Sequence, residues 1–287
     1  SEIELLNEKV KPTDKRILYK ALFTLSEYDI SDEVFDSEKQ TDWEKVRGIA
    51  EQKRTDALLE VIDEYGITGI EQFVANENMA TNVSIILAKQ EKKEFDDYLI
   101  PNFLNSQNQL MELLCRNYIR ISTYTRFKVF LENIHINELS KDNQLSILLA
   151  SKFELDIWNL VDDLLRDESD SYWKKVNQNV YASESDLSLA ISRFNNINRT
   201  NISLKCIYIS IFNHKEISLD LILETFEKNI LSNDEMPDYY EIVEIIKYLE
   251  NLEDIKPNAG ASYSAPVDLY VSNKVSINIG GVSKNIV

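Results

Sequence analysis

The sequence contains few of the residues that interrupt helices. Among its 287 residues are 6 glycines and 5 prolines. Because glycine and proline mark turns, this scarcity argues against a turn-rich all-β fold and favours helices. No apolar run has the length of a membrane span, and the first residues do not have the pattern of a signal peptide. We therefore expect a protein without a membrane partner.

Cysteine and histidine are also scarce, which excludes several kinds of site. Cys115 and Cys206 lie far apart and outside any Cys-x-x-Cys pair, so no disulfide framework or metal-binding pattern is present. Both lie in apolar helical patterns, and we expect buried free thiols in a reducing cytoplasm. Glu132 and His135 have a spacing used in di-iron bundles, but no second pair precedes His214. No metal and no cofactor are predicted.

Sequence motifs of catalysis are missing as well. There is no GxxxxGKS/T phosphate loop, and the glycine-rich piece at 280–284 has the wrong spacing for one. A GxSxG nucleophile elbow is absent too. The adjacent acids at 96–97 and 162–163 are interpreted as solvated helix surface. These absences predict a protein that is not an enzyme.

Apolar residues recur at helical spacing along most of the chain. The clearest stripe has the spacing i, i+3, i+4, i+7, i+8 and consists of Ile157, Leu160, Val161, Leu164 and Leu165. The same spacing returns at 204–212, where Tyr208 and Phe212 are assigned to the buried face. Helices this short are unstable alone, so they must bury these faces against each other. We predict an all-α fold of stacked antiparallel helical hairpins.

An internal repeat favours an α-solenoid. Residues 85–88 and 147–150 both have the pattern Ile-Ile/Leu-Leu-Ala, and each is followed by another apolar helix start. Repeated helical pairs that contact only their neighbours form a solenoid, and an irregular helical bundle is the alternative. We place this helical repeat domain at residues 1–257.

Residues 258–287 form a C-terminal tail of different composition. This segment has no glutamate and holds three of the 6 glycines. Apolar residues alternate with mostly polar ones at 267–271 and at 275–279, which is a strand period. We predict a short β-hairpin or extended tail that folds on the last helix or pairs with another domain or chain. Since the chain starts with Ser rather than Met, we expect it to be part of a longer protein.

Aromatic and basic residues lie close together between positions 158 and 199. The candidate binding residues are Trp158, Tyr172, Trp173, Lys174, Lys175, Arg193 and Arg199. Rings beside basic groups are one form of base-stacking platform. The favoured interpretation is instead a packed helix junction, where large aromatic side chains usually serve as anchors. The formal net charge of −18 repels phosphate groups and disfavours nucleic acid as a partner.

The run from 149 to 207 resembles a segment of large bacterial helical-repeat proteins. The likeness is carried by Trp158, the run Tyr172-Trp173-Lys174-Lys175-Val176, an acidic helix start near Asp186, Arg199 and the helix at Leu204. The segment is similar to HEAT- and TPR-like scaffolds in general, although the TPR consensus is missing. The resemblance implies a scaffold, and such arrays in bacteria are often appended to NTPase or effector domains, including those of phage defence.

Three functional hypotheses follow from the sequence. The first is a non-enzymatic scaffold that binds a protein partner or associates with itself. The second is the sensor or regulatory region of a bacterial anti-phage defence or signalling machine. The third is a helical repeat that binds nucleic acid through Lys174, Lys175, Arg193 and Arg199.

Overall fold

The chain divides into two compact units, residues 1–152 and 153–287, which we call unit 1 and unit 2. The computed structural model describes residues 12–31, 42–177, 187–232 and 238–254, together with strand residues 270–271, 275–279 and 282–286. In these ranges every regular element up to residue 254 is a helix, so the all-α prediction is confirmed. The predicted domain boundary at 257–258 lies outside the described residues. The choice between a solenoid and a bundle stays a prediction.

Unit 1 is arranged around a central helix. Its helices are α1 (Lys15–Leu18), α2 (Lys20–Thr24), α3 (Glu27–Ser31), α4 (Trp43–Tyr65), α5 (Gly69–Phe73), α6 (Glu77–Lys89), α7 (Lys93–Phe103), α8 (Gln109–Thr125), α9 (Phe127–Asn133) and α10 (Lys141–Ala150), with a 3-10 turn at Ile136–Glu138. Helix α8 contacts α6, α7, α9 and α10. Its buried face carries Met111, Leu114, Cys115, Tyr118 and Ile119. Burying this stripe stabilises four neighbours at once, because each would be marginal alone.

Short polar side chains set where several of these helices begin. Asp42 accepts hydrogen bonds from the backbone nitrogens of Glu44 and Lys45 at 3.2 and 3.1 Å. Asn76 accepts one from the nitrogen of Met79 at 2.9 Å. Each bond satisfies a helix-start N–H group that has no intrahelical partner. The starts of α4 and α6 are therefore fixed by local chemistry as well as by packing.

Residues in the left-handed region follow several helices. Gly66 ends α4 with a φ of 70°. The other links use residues with a side chain, and Glu91, Asn105, Asn198 and His214 have φ angles of 54°, 63°, 61° and 55°. For such residues this conformation costs about 1–2 kcal/mol. The scarcity of glycine in the sequence thus carries an energetic cost at the turns between helices.

Unit 2 also has a central helix. Its helices are α11 (Leu155–Leu165), α12 (Ser169–Lys175), α13 (Ser188–Asn196), α14 (Thr200–Phe212), α15 (Leu219–Ser232) and α16 (Tyr239–Asp254), with a 3-10 turn at Arg166–Glu168. Helix α14 contacts α13, α15 and α16. Its sequence is apolar on almost every side, and its buried residues include Leu204, Cys206, Ile207 and Ile209.

Three short strands lie in the C-terminal tail. They are β1 (Tyr270–Val271), β2 (Val275–Ile279) and β3 (Val282–Ile286). Both neighbouring pairs are antiparallel in the order β1-β2-β3, with Val271 opposite Val275 and Ile277 opposite Lys284. The strand period noted at 275–279 therefore coincides with β2.

Candidate interaction surface

The predicted aromatic candidates form the core of unit 2. Trp158, Tyr172 and Trp173 are each 1% exposed. Trp158 lies 4.9 Å from Phe153 between ring centroids, and Trp173 lies 5.3 Å from Phe194. Edge-to-face pairs at such distances stabilise a core beyond the area they bury. Protein atoms cover these rings, so a nucleic-acid base has no access to them in this structure.

The predicted basic candidates have different surroundings. Lys174 and Lys175 are exposed at the end of α12. Arg193 is half-buried and forms an ion pair with Asp162. The Nη1 atom of Arg199 donates hydrogen bonds of 2.7 Å to the backbone oxygens of Trp173 and Val176.

Arg199 therefore acts on the backbone of its own unit. Its two acceptors belong to the last turn of α12 and to the residue that follows it. Carbonyl oxygens at a helix end lack intrahelical donors, and a cation there also suits the negative end of the helix dipole. The structure thus brings Arg199 and the aromatic core together and leaves the two lysines on the surface.

A buried ionic cluster in unit 1 is the strongest concentration of charge in the described interior. Asp96 and Arg126 form a two-bond pair, with distances of 2.8 Å from Nη1 to Oδ2 and 2.6 Å from Nη2 to Oδ1. The Tyr118 hydroxyl donates to Oδ1 at 2.6 Å, and Asn133 Nδ2 donates to Oδ2 at 2.8 Å. Asp96 is 1% exposed, so its predicted place on a solvated surface is wrong.

The geometry of this cluster is that of a structural tie between helices. Each oxygen of Asp96 accepts two hydrogen bonds, which largely fills the capacity of a carboxylate. Burial, and then the hydrogen bond to Asp96, raise the pKa of Tyr118 far above its ordinary value. Its hydroxyl therefore remains a donor at neutral pH. The cluster connects α7, α8 and α9, and its charged groups Asp96 and Arg126 are buried.

The described residues give little support for a metal site. Among them no group of three or more His, Cys, Asp or Glu side chains is placed to hold an ion. His135 and His214 are both exposed. Cys115 and Cys206 are buried and free, which confirms the prediction for both thiols.

Among the described residues, no helix combines the length and apolar character needed to cross a bilayer.

Three rings of unit 2 form an exposed cluster, which we call the aromatic patch. It consists of Tyr208 and Phe212 on α14 and Tyr240 on α16. Phe212 is 68% exposed and Tyr240 is 58% exposed, whereas Tyr208 between them is half-buried. The ring of Tyr208 lies 6.1 Å from that of Phe212 and 6.2 Å from that of Tyr240, with interplanar angles of 38° and 76°.

Local structure positions the aromatic patch at the ends of two helices. Phe212 is the last residue of α14. At the start of α16, Asp238 accepts a hydrogen bond from the Tyr240 nitrogen at 2.8 Å, and its own nitrogen donates to Glu241 Oε2 at 3.2 Å. This reciprocal arrangement is a capping box, and it holds Tyr240 in the first turn.

The sequence interpretation assigned Phe212 to the buried face, which is wrong. Because α14 is apolar on nearly all sides, a spacing rule that expects one apolar face cannot identify which residues are covered. The only available signal is position, since a ring on the last turn of a helix has fewer neighbours than one in its middle.

Exposed apolar side chains also occur elsewhere among the described residues. Ile17, Trp43 and Val129 of unit 1 are 57%, 54% and 54% exposed. Single exposed apolar side chains are normal on protein surfaces and need no functional explanation. The aromatic patch differs because its rings contact one another and are contributed by two helices.

Comparison of the chain with protein-family models, curated proteins and solved structures gave no match. The likeness to bacterial helical-repeat proteins therefore stays a prediction.

Proposed function

We propose that this chain is a non-enzymatic protein–protein interaction module and that unit 2 binds its partner through the aromatic patch. The observation that carries the proposal is the exposure of Phe212 and Tyr240, at 68% and 58%, in ring contact through Tyr208. Exposed apolar clusters on otherwise polar proteins mark interaction sites. Tyrosine is also among the residues that dominate the binding energy of protein interfaces.

Covering the two exposed rings supplies a substantial part of a binding free energy. Full burial of a large apolar side chain is worth about 1.5–3 kcal/mol. Since Phe212 and Tyr240 each have more than half of their surface exposed, covering both contributes about 2–4 kcal/mol. That range corresponds to about 30-fold to 700-fold in Kd.

The interior polar groups support a binding role over a catalytic one. Asp96 and Tyr118 have the chemistry for proton transfer, but both are buried and hydrogen-bonded to each other. The free thiols of Cys115 and Cys206 are buried and have pKa values raised by burial to about 12, which makes them poor nucleophiles. Unpaired thiols also fit a reducing cytoplasm.

The nucleic-acid alternative has less support. Of its four basic candidates, Arg193 pairs with Asp162 and Arg199 binds backbone oxygens of its own unit. The net charge of −18 opposes phosphate binding. A protein partner does not require a positive surface.

Affinity capture from the native host tests the proposal. The tagged wild-type chain is compared with the double variant Phe212→Ser/Tyr240→Ser. Trp43→Ser is the matched control, because it removes a ring that is 54% exposed on unit 1. We expect a partner that the wild type and the control retain equally and that the double variant loses by tenfold or more. Equal recovery by all three proteins, each checked for helicity by circular dichroism, would contradict the proposal.

A further inference from the structure

Two strands of the C-terminal sheet have almost the same sequence. Strand β2 is Val-Ser-Ile-Asn-Ile at 275–279, and strand β3 is Val-Ser-Lys-Asn-Ile at 282–286. The two copies differ only at their central position, where β2 has Ile277 and β3 has Lys284. A Gly-Gly loop at 280–281 connects them, and such two-residue loops are typical of tight hairpins. The sheet therefore contains one five-residue motif in two copies.

The observed register shows that this motif pairs with itself in the antiparallel direction. Ser276 lies opposite Asn285, and Asn278 lies opposite Ser283. At both ends of the ladder, the valine of one copy lies opposite the isoleucine of the other. The central residues of the two copies form the remaining pair. A further copy of the motif that pairs in this register therefore meets the same partners at four of its five positions.

Strand β3 lies at the edge of this sheet. Among the described strands the order is β1-β2-β3, so β3 has a neighbouring strand on one side only. In a tight hairpin the residues on either side of the loop are hydrogen-bonded, here Ile279 and Val282. Because such pairs alternate along an antiparallel ladder, the backbone groups of Ser283 and Asn285 face away from β2. An edge of this kind is a template for pairing with another strand.

We propose that the outer edge of β3 is a self-pairing surface and that the charge of Lys284 limits the sheet to one chain. The occupant that fits this edge is β3 of a second copy, because the motif is its own antiparallel complement. In that two-fold pair, Val282 lies opposite Ile286 and Ser283 lies opposite Asn285. Lys284 then lies opposite Lys284 of the second copy, and like charges placed directly opposite each other are destabilising.

The two lysines oppose each other in the register that pairs all five residues of β3. A shift by two residues separates the lysines, but it keeps only three of the five pairs of this strand and ends the pairing of serine with asparagine. Charged residues on edge strands, lysine above all, are a common means by which proteins prevent edge pairing. The central strand β2, which is covered on both sides, has Ile277 at the same position.

Replacing Lys284 by isoleucine makes β3 identical to β2 and removes the opposed charges. Sedimentation velocity over a series of concentrations compares Lys284→Ile with the wild-type chain. We expect the variant to associate at concentrations about tenfold or more below any association of the wild type. Lys247→Ile is the matched control, because it makes the same substitution on α16, where the lysine side chain is 59% exposed. This control should sediment as the wild type does.

A proline distinguishes edge pairing from general apolar association. In the Lys284→Ile chain, Ser283→Pro removes an N–H that faces away from β2 and leaves the hydrogen bonds of the hairpin in place. We therefore expect the double variant Lys284→Ile/Ser283→Pro to lose the association. Circular dichroism checks that every variant keeps the helicity of the wild type.

Charge reversal tests the opposed pair itself. Lys284→Glu alone should not associate, because two glutamates then lie opposite each other. An equimolar mixture of Lys284→Glu with the wild type should associate, since each lysine then lies opposite a glutamate. Native mass spectrometry with one of the two proteins isotopically labelled counts the mixed dimers, which we expect in excess of both like pairs.

Four results would overturn the proposal. They are a Lys284→Ile chain that sediments as the wild type does, association that survives Ser283→Pro, mixed dimers no more frequent than like pairs, and self-association of the wild type that Ser283→Pro abolishes. The last result would show that Lys284 does not limit the sheet to one chain. Because the aromatic patch takes no part in this pairing, capture of a partner through Phe212 and Tyr240 is a separate test.

Discussion

The carboxylate of Asp96 remains buried because several donors replace the water it loses. Arg126 supplies two hydrogen bonds, and Tyr118 and Asn133 supply one each. An ion removed from water loses several kcal/mol of hydration, and such a pair is stable only when its geometry restores that energy. A pair of this kind is sensitive to the removal of either partner, because the remaining charge stays buried alone.

The first prediction concerns this pair. Arg126→Met should lower the free energy of unfolding by about 3–5 kcal/mol, since it leaves Asp96 buried without a cation. Arg193→Met is the control, because it breaks an ion pair whose side chains are 37% and 42% exposed, and it should cost at most about 1 kcal/mol. Urea unfolding followed by circular dichroism measures both. Similar losses in the two variants would contradict the structural role of the cluster.

The second prediction concerns the buried thiols. Burial raises the pKa of Cys115 and of Cys206 from 9.0 to about 12. Native protein at pH 8 should therefore react with a thiol reagent far more slowly than protein in denaturant, where both cysteines are accessible. Labelling of both thiols within seconds under native conditions would contradict the burial of Cys115 in α8 and Cys206 in α14.

The same shift predicts how stability depends on alkaline pH. A thiol whose pKa is higher in the folded state contributes stability that is present below its unfolded value, here 9.0. That contribution is lost as pH rises toward about 12, because the unfolded state releases its protons first. Tyr98 acts in the same direction, since burial and the hydrogen bond to Glu71 raise its pKa to about 12. We therefore expect the free energy of unfolding to fall above pH 9.

At the scale of the elements, the turns between helices carry strain. Glu91 follows α6 with a φ of 54° and is exposed. Glycine adopts this conformation without the steric cost that other residues meet. A substitution that removes this backbone strain in a link should therefore raise the free energy of unfolding.

The third prediction follows from that strain. Glu91→Gly should raise the free energy of unfolding by up to about 1 kcal/mol, the cost of a left-handed residue less the extra freedom of glycine in the unfolded chain. Glu91→Ala is the control, because alanine has the same steric conflict and should give no gain. A thermal unfolding series compares the three proteins. A gain in Glu91→Ala as large as that in Glu91→Gly would point to charge rather than backbone strain.

Periodicity located the helices but not every buried residue. The stripe from Ile157 to Leu165 lies within α11, because helical spacing and burial coincide there. Asp96 was placed on the surface by its residue type, although it lies on the same face of α7 as Leu99, Ile100 and Phe103. Its partner Arg126 lies in the link after α8, and no local pattern in the sequence connects the two.

At the scale of the whole molecule, the aromatic patch could not be predicted from the sequence. Phe212 and Tyr240 are separated by helix α15, and only the packing of α14 against α16 brings the rings together. Sequence proximity instead favours Trp158 and Trp173 as candidates, and both pack inside unit 2. In this chain, nearness in sequence identifies aromatic residues of the unit 2 core and misses those of the aromatic patch.

The net charge of −18 is also a property of the whole molecule. It attracts cationic partners from a distance and repels phosphate, so it influences association rates more than the fold. The aromatic patch then provides short-range contact that charge alone does not.

Site-specific photo-crosslinking in the native host tests the central claim most directly. A benzophenone amino acid replaces Phe212 in one protein and Trp43, exposed to a similar extent on unit 1, in another. We predict a discrete cross-linked partner at position 212 that is absent at position 43. No cross-link at position 212, or the same products from both positions, would contradict an interaction surface at the aromatic patch.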